Sequence, residues 1–174
     1  MLIAVIFSFV SCQSGTKDSQ RNNDGPAASD QTPAVSSPRD EVKFLDEYGQ
    51  NITLSSLKGK VVFINFWATW CGPCIREMPS LQTLVQSFKG NNDIQFLMVD
   101  VDGTMDKSQA FMTKNKYDMP VYVPNSALPR GYFDNVVPTT VILDKNGEVV
   151  DRLVGGRDYA DPKIKMALEQ LLQN

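Results

Sequence analysis

Cys71 and Cys74 stand two residues apart in Trp70-Cys71-Gly72-Pro73-Cys74, and this spacing of two thiols is the chain's clearest chemical device. The pair follows the apolar run Val61-Val62-Phe63-Ile64-Asn65-Phe66-Trp67 and precedes an amphipathic helix pattern, so it falls where a strand hands over to a helix. A helix start leaves backbone N–H groups unpaired and carries partial positive charge, which favours a thiolate over a thiol. The thiolate is the form that attacks disulfides. Two intervening residues let the second sulfur close on the first as a reversible bridge, so the pair can accept an electron pair and pass it on. A purely stabilising bridge is the bland alternative, and closing so small a loop would stabilise little.

Composition narrows the rest. A chain of 174 residues suits one domain with extensions. Its net charge of -3 argues against a nucleic-acid surface. The absence of histidine removes histidine-based triads, histidine-ligated zinc and a covalent haem motif with its axial histidine. Three cysteines are too few for a cysteine-rich metal site, so no cofactor or metal is expected.

The elements that must position the thiols follow from periodicity. Val42-Lys43-Phe44-Leu45 and Asn51-Ile52-Thr53-Leu54 flank a polar turn and read as a hairpin. The run Val61 to Phe66 reads as a central strand covered on both faces. After the thiols, Ile75, Met78, Leu81, Leu84, Val85 and Phe88 recur at helical spacing, with Pro79 expected to kink the helix. Gln95 to Val101 is a second buried strand, Asp106 to Lys116 a weaker helix, and Val121 to Val123 a short strand. Thr139 to Leu143 and Glu148 to Leu153 flank Asp144-Lys145-Asn146-Gly147, an antiparallel hairpin. Asp161 as N-cap and Pro162 at the first position open a last helix. The class is α/β: a mixed sheet with helices on both faces and right-handed parallel crossovers in its first half.

The stretch Phe66-Trp67-Ala68-Thr69-Trp70-Cys71-Gly72-Pro73-Cys74 resembles the active site of the thioredoxin superfamily. Its flanks resemble the extracytoplasmic TlpA/ResA branch over roughly residues 38 to 174. The N-terminal hairpin and a central insertion between Met105 and Val123 are features of that branch. Cys71, at the exposed N-terminal edge, is expected to attack, and Cys74, one turn in, to resolve; Gly72 and Pro73 set the opening geometry of the helix. In Val136-Val137-Pro138-Thr139 the resemblance implies a cis Val137–Pro138 bond beside the dithiol, with the Val137 backbone pairing with substrate like an added strand. Trp67 is expected in the core and Trp70 on the rim that meets substrate.

Two positions depart from thioredoxin. Where thioredoxins carry a buried aspartate six residues before the first cysteine, this chain has Asn65, which cannot titrate. Glu77 stands where ResA-type proteins carry an active-site glutamate and is the candidate catalytic residue for managing the Cys74 proton. A solvated first-turn carboxylate is the alternative reading of Glu77. Arg76 reads as a surface charge close enough to influence Cys71.

The chain start supplies an expected compartment. Met1 to Val10 is almost wholly apolar and ends in Phe9-Val10-Ser11-Cys12, which resembles a bacterial lipobox. Residues 1–11 are expected to be a lipoprotein signal peptide, Cys12 a lipidated residue, 12–38 a flexible polar tether, and 39–174 the thioredoxin-like domain. An uncleaved anchor or an ordinary signal peptide is the alternative. The resemblance implies a lipid-anchored protein on the periplasmic side of the cell envelope. It would reduce disulfides of envelope proteins, apocytochrome c among them, with electrons from a transmembrane dithiol donor. A peroxiredoxin-type thiol peroxidase would need Pro-x-x-x-Thr-x-x-Cys, which the residues before Cys71 do not supply. A non-catalytic binding lipoprotein of the same fold would usually have lost a cysteine or the proline, and all three positions are kept here.

Overall fold

The computed structural model describes residues 42–174, so the expected signal peptide, Cys12, the whole of the tether and the first three residues of the expected domain lie outside the described residues. Its strands are β1 (Lys43–Asp46), β2 (Asn51–Thr53), β3 (Val61–Trp67), β4 (Ile94–Asp100), β5 (Val121–Pro124), β6 (Thr139–Leu143) and β7 (Val149–Val154). The α-helices are α1 (Gly72–Ser87), α2 (Met105–Asn115) and α3 (Pro162–Gln173). The strands form one mixed sheet in the order β2-β1-β5-β4-β3-β6-β7, with β3, β4 and β5 parallel and all other neighbours antiparallel.

All seven residues of β3 are buried, as its apolar run requires. Side chains alternate across a strand. Val61, Phe63 and Trp67 therefore join one apolar cluster, and Val62, Ile64 and Phe66 the other. Asn65 shares the parity of the first set, which puts a polar side chain inside the face that α1 covers.

The steps from β3 to β4 and from β4 to β5 advance in the same direction, so two right-handed crossovers deliver α1 and α2 to the same face. Leu81 and Leu84 of α1, Met112 of α2 and Leu168 of α3 all enter the cluster of Phe63 and Trp67. The opposite face is covered by a single 3-10 turn, Leu54–Leu57, and by Leu128, Tyr132 and Phe133 of the segment before β6. The Phe133 ring stacks on Phe66 at 5.1 Å. The helical cover expected on both faces is thus uneven: α-helices on one side, a 3-10 turn and a packed loop on the other.

Helix α1 continues through Pro79 to Ser87. Added strands attach on the β4 side, where β1 pairs with β5 and carries β2 at the edge. Between β6 and β7, Asp144 Oδ1 accepts from the Asn146 and Glu148 N–H groups at 2.9 Å, and Gly147 takes the positive φ of 82° that closes the turn.

Candidate active site

Strand β3 ends at Trp67, and after three intervening residues the chain reaches Cys71, the N-cap of α1. Gly72 and Pro73 fill the first two helical positions; proline fits there because its missing N–H would have no intrahelical partner. The Cys74 N–H, at the third position, donates to Cys71 Sγ at 3.2 Å. Cys71 sulfur therefore does what a serine or aspartate oxygen does at an ordinary N-cap, and a negative charge on it is favoured there. The two sulfurs are joined in a disulfide, with Cα atoms 5.2 Å apart.

Cys71 is less exposed than its place at the helix edge suggests: 3 % against 0 % for Cys74. Both cysteines are buried, so the exposed edge expected for Cys71 is not found. Cys71 packs in the cluster that also holds Ala68, Trp67 and the flanking Val137. Attack at Cys71 needs a substrate that fits against this rim, not a freely protruding sulfur.

Trp70 and Val136 stand out from the surface at 67 % and 45 % exposure. The Trp70 indole N–H donates to Asp102 Oδ2 at 2.6 Å. Asp102 is itself held, its N–H donating to the buried Asp100 Oδ1, while Thr104 and Ser108 hydroxyls donate to Asp100 Oδ2. The exposed ring is thereby fixed in place. Trp67 is fully buried and tilted against Phe111 at 5.4 Å, as expected of a core residue.

The Val137–Pro138 peptide bond is cis, the isomer the resemblance implies. Pro138 is buried, its carbonyl accepts from the Gly155 N–H at 2.9 Å, and Thr139 Oγ1 donates to the Val136 carbonyl at 2.7 Å. The bond leads into β6, which pairs with β3 and sets Thr140 opposite Asn65.

Glu77 is not a solvated first-turn carboxylate. It is 2 % exposed, turned inward beneath the start of α1. Oε1 accepts from Asn65 Nδ2 at 3.0 Å and Oε2 from the Arg157 backbone N–H at 3.2 Å. Burial pushes its carboxyl above the ordinary carboxylate range, against the pull of these two hydrogen bonds and of the Arg157 charge. Asn65 Nδ2 also donates to Thr140 Oγ1 at 3.0 Å, and Thr140 Oγ1 meets the Tyr159 hydroxyl at 2.5 Å. The Gly156 backbone closes over this corner: a Cβ built there would lie 3.3 Å from the Pro73 carbonyl and 3.6 Å from Glu77 Oε2. Arg76 is exposed, with Nη1 3.5 Å from a Cβ built on Gly72, so its charge lies over the first turn of α1.

Thr140, Tyr159, Arg157, Gly156 and Asp102 are the site residues that sequence reasoning missed. Only Thr140 carried a signal, since it lies two residues after Pro138 and shares the inward parity of Ile142. Among the described residues no three His, Cys, Asp or Glu side chains gather as a metal site.

A dithiol capping the helix that follows a central parallel strand, beside an antiparallel strand entered through a cis-proline, defines a thioredoxin-fold dithiol protein. The chain belongs to the redoxin family, whose model matches residues 27–168. It is 35% identical over 111 residues to the thiol-disulfide oxidoreductase ResA of Bacillus cereus, an alignment covering 63% of this chain and 64% of the relative. With ResA of Oceanobacillus iheyensis it shares 33% identity over 159 residues, 89% of this chain and 76% of the relative. A thioredoxin-family thiol:disulfide interchange protein of Chlorobium tepidum superposes with a TM-score of 0.58 at 29% identity, covering 78% of this chain and 99% of that structure. The chain thus spans just under two thirds of the B. cereus relative.

Proposed function

We propose that the chain is an extracytoplasmic thiol–disulfide oxidoreductase that reduces disulfides of envelope proteins. The observation that carries this reading is the Cys71 sulfur at the N-cap of α1, bonded to Cys74 and accepting the Cys74 N–H. In the reduced form, Cys71 thiolate attacks one sulfur of a substrate disulfide. A Cys71–substrate bond forms, the substrate S–S bond breaks, and the released sulfur leaves as thiolate and takes a proton. Cys74, once deprotonated, attacks Cys71 Sγ; the Cys71–Cys74 disulfide forms and the second substrate sulfur leaves. Two electrons pass to the substrate, and a dithiol donor must restore them.

Glu77, three residues after Cys74 and held above the ordinary carboxylate range by burial, is assigned the Cys74 proton. Asn65, which cannot titrate, leaves that task to it. Trp70, Gly72, Pro73, Val137 and Pro138 form the surface against which a substrate strand lies, with the exposed Trp70 and Val136 as its apolar rim. The Gly-Pro dipeptide between the cysteines, the one found in reducing thioredoxins, favours the reducing direction. Lipidation at Cys12, with 12–38 as tether, would hold the domain at the periplasmic face of a membrane. There it could meet a transmembrane dithiol donor and substrates such as apocytochrome c.

Cys74→Ser tests the reading. It should accumulate a mixed disulfide between Cys71 and a substrate peptide, seen by mass spectrometry under non-reducing conditions, while Cys71→Ser gives none. Equal adduct formation by both variants, or by neither, would contradict it.

A further inference from the structure

The hydrogen-bond chain from Glu77 through Asn65 and Thr140 ends on Tyr159, a residue the proposed chemistry does not use. Tyr159 is fully buried in the connection between β7 and α3, its ring edge-on to Phe63 at 5.6 Å and its N–H donating to Ser80 Oγ at 3.0 Å. Ser80 in turn donates to the Glu77 carbonyl at 2.8 Å, so Tyr159 is tied to the Glu77 turn of α1 through its backbone as well. Burial and the nearby Glu77 charge push the phenol up to about 12, so it stays protonated throughout the working range.

A carboxamide offers two N–H donors on one side and an acceptor oxygen on the other. Asn65 turns its nitrogen to both Glu77 Oε1 and Thr140 Oγ1 and leaves Oδ1 buried with no partner. Turned the other way, Oδ1 would face Glu77, an arrangement that suits only the protonated acid. The choice therefore decides which form of Glu77 is stabilised. Thr140 makes the choice when the Tyr159 oxygen takes its single proton: the proton is then turned away from Asn65, and a lone pair of the Thr140 hydroxyl faces the Asn65 nitrogen. The one other partner of Thr140 Oγ1 among the described residues is the Tyr159 hydroxyl.

We propose that Tyr159 is a positioning residue for Glu77: by engaging the Thr140 hydroxyl it holds the Asn65 carboxamide nitrogen-first against the Glu77 carboxylate. Its importance for turnover rests on the proton role given to Glu77 above. The other charged or titratable groups around Glu77 are Arg157, Arg76 and Asp158, which line a cleft with Pro73 and Gly156, and the dithiol one turn earlier on α1. None of these contacts Thr140 in a way that could set the carboxamide.

The test is the Glu77 carboxyl titration, followed by carbon NMR in the full chain with the disulfide intact, so that neither cysteine titrates. Tyr159→Phe keeps the ring but removes the oxygen, and the Thr140 proton then turns to Asn65 and draws Oδ1 inward. The Glu77 midpoint should rise by about one pH unit, the worth of one hydrogen bond to a charged group. Adding Thr140→Val removes that stray proton and should bring the midpoint back down, a rescue that mere loss of packing would not give. An unchanged midpoint in Tyr159→Phe, or a double variant no lower than the single one, overturns the proposal. In the native chain the Asn65 side-chain amide protons should shift in step with Glu77; if they stay fixed the proposal fails, whether or not the variants fold. A raised midpoint with an unmoved pH–rate profile would uphold the positioning and sink the proton role of Glu77.

Discussion

Glu77 is a carboxylate whose charge state the fold controls through burial and directed donors. It is buried, yet both carboxyl oxygens have donors, Asn65 Nδ2 at 3.0 Å and the Arg157 N–H at 3.2 Å. Burial wins over these donors and the carboxyl lies above its ordinary 4.5. The folded chain therefore binds more protons than the unfolded chain between 4.5 and the raised value. Stability from this group is full below 4.5 and is lost as pH rises through that window. With the disulfide intact, the urea midpoint should fall across the window in the native chain, and Glu77→Gln should flatten that slope; an identical slope in both would contradict the assignment. Sequence spacing could mark Glu77 as near Cys74 but could not say which way it turned. Its burial depends on Asn65, twelve residues away, and on the Gly156–Arg157 backbone, some eighty residues on. Local patterning carries no trace of such partners, and Tyr159 was invisible for the same reason.

Among the elements, those with strong local signals were legible. The seven-residue run of β3, the helical spacing after Cys74 and the Asp161-Pro162 cap all form within a residue or two of where periodicity puts them. Asp161 Oδ1 accepts from the Lys163 N–H at 2.9 Å, the usual N-cap bond. Asp161→Ala should cost about 1 kcal/mol in urea unfolding while leaving thiol chemistry unchanged. A loss near zero would mean that the tertiary contacts of Ile164, Leu168, Leu171 and Leu172 hold α3 without the cap. Two outcomes at this scale were not legible. The uneven helical cover follows from strand order, which no single element encodes. The near-complete burial of Cys71 belongs to a cluster assembled from residues far apart in sequence, with Val137 of a distant loop packed against it.

At the scale of the whole molecule, β5, β1 and β2 lie beyond β4 at one side of the sheet, while the dithiol corner is built from β3, α1, the entry to β6, the turn after β7 and, through Asp102, the end of β4. The redoxin family membership and the ResA relatives agree with a dithiol that cycles between two redox states. Direction is the central question, and the equilibrium reduction potential of the Cys71–Cys74 pair, titrated against dithiothreitol or glutathione with Trp fluorescence as readout, answers it most directly. A reductant of envelope disulfides should poise near thioredoxin's value of about -270 mV. A value near DsbA's, about -120 mV, would contradict that reading and make the protein an oxidant of exported thiols.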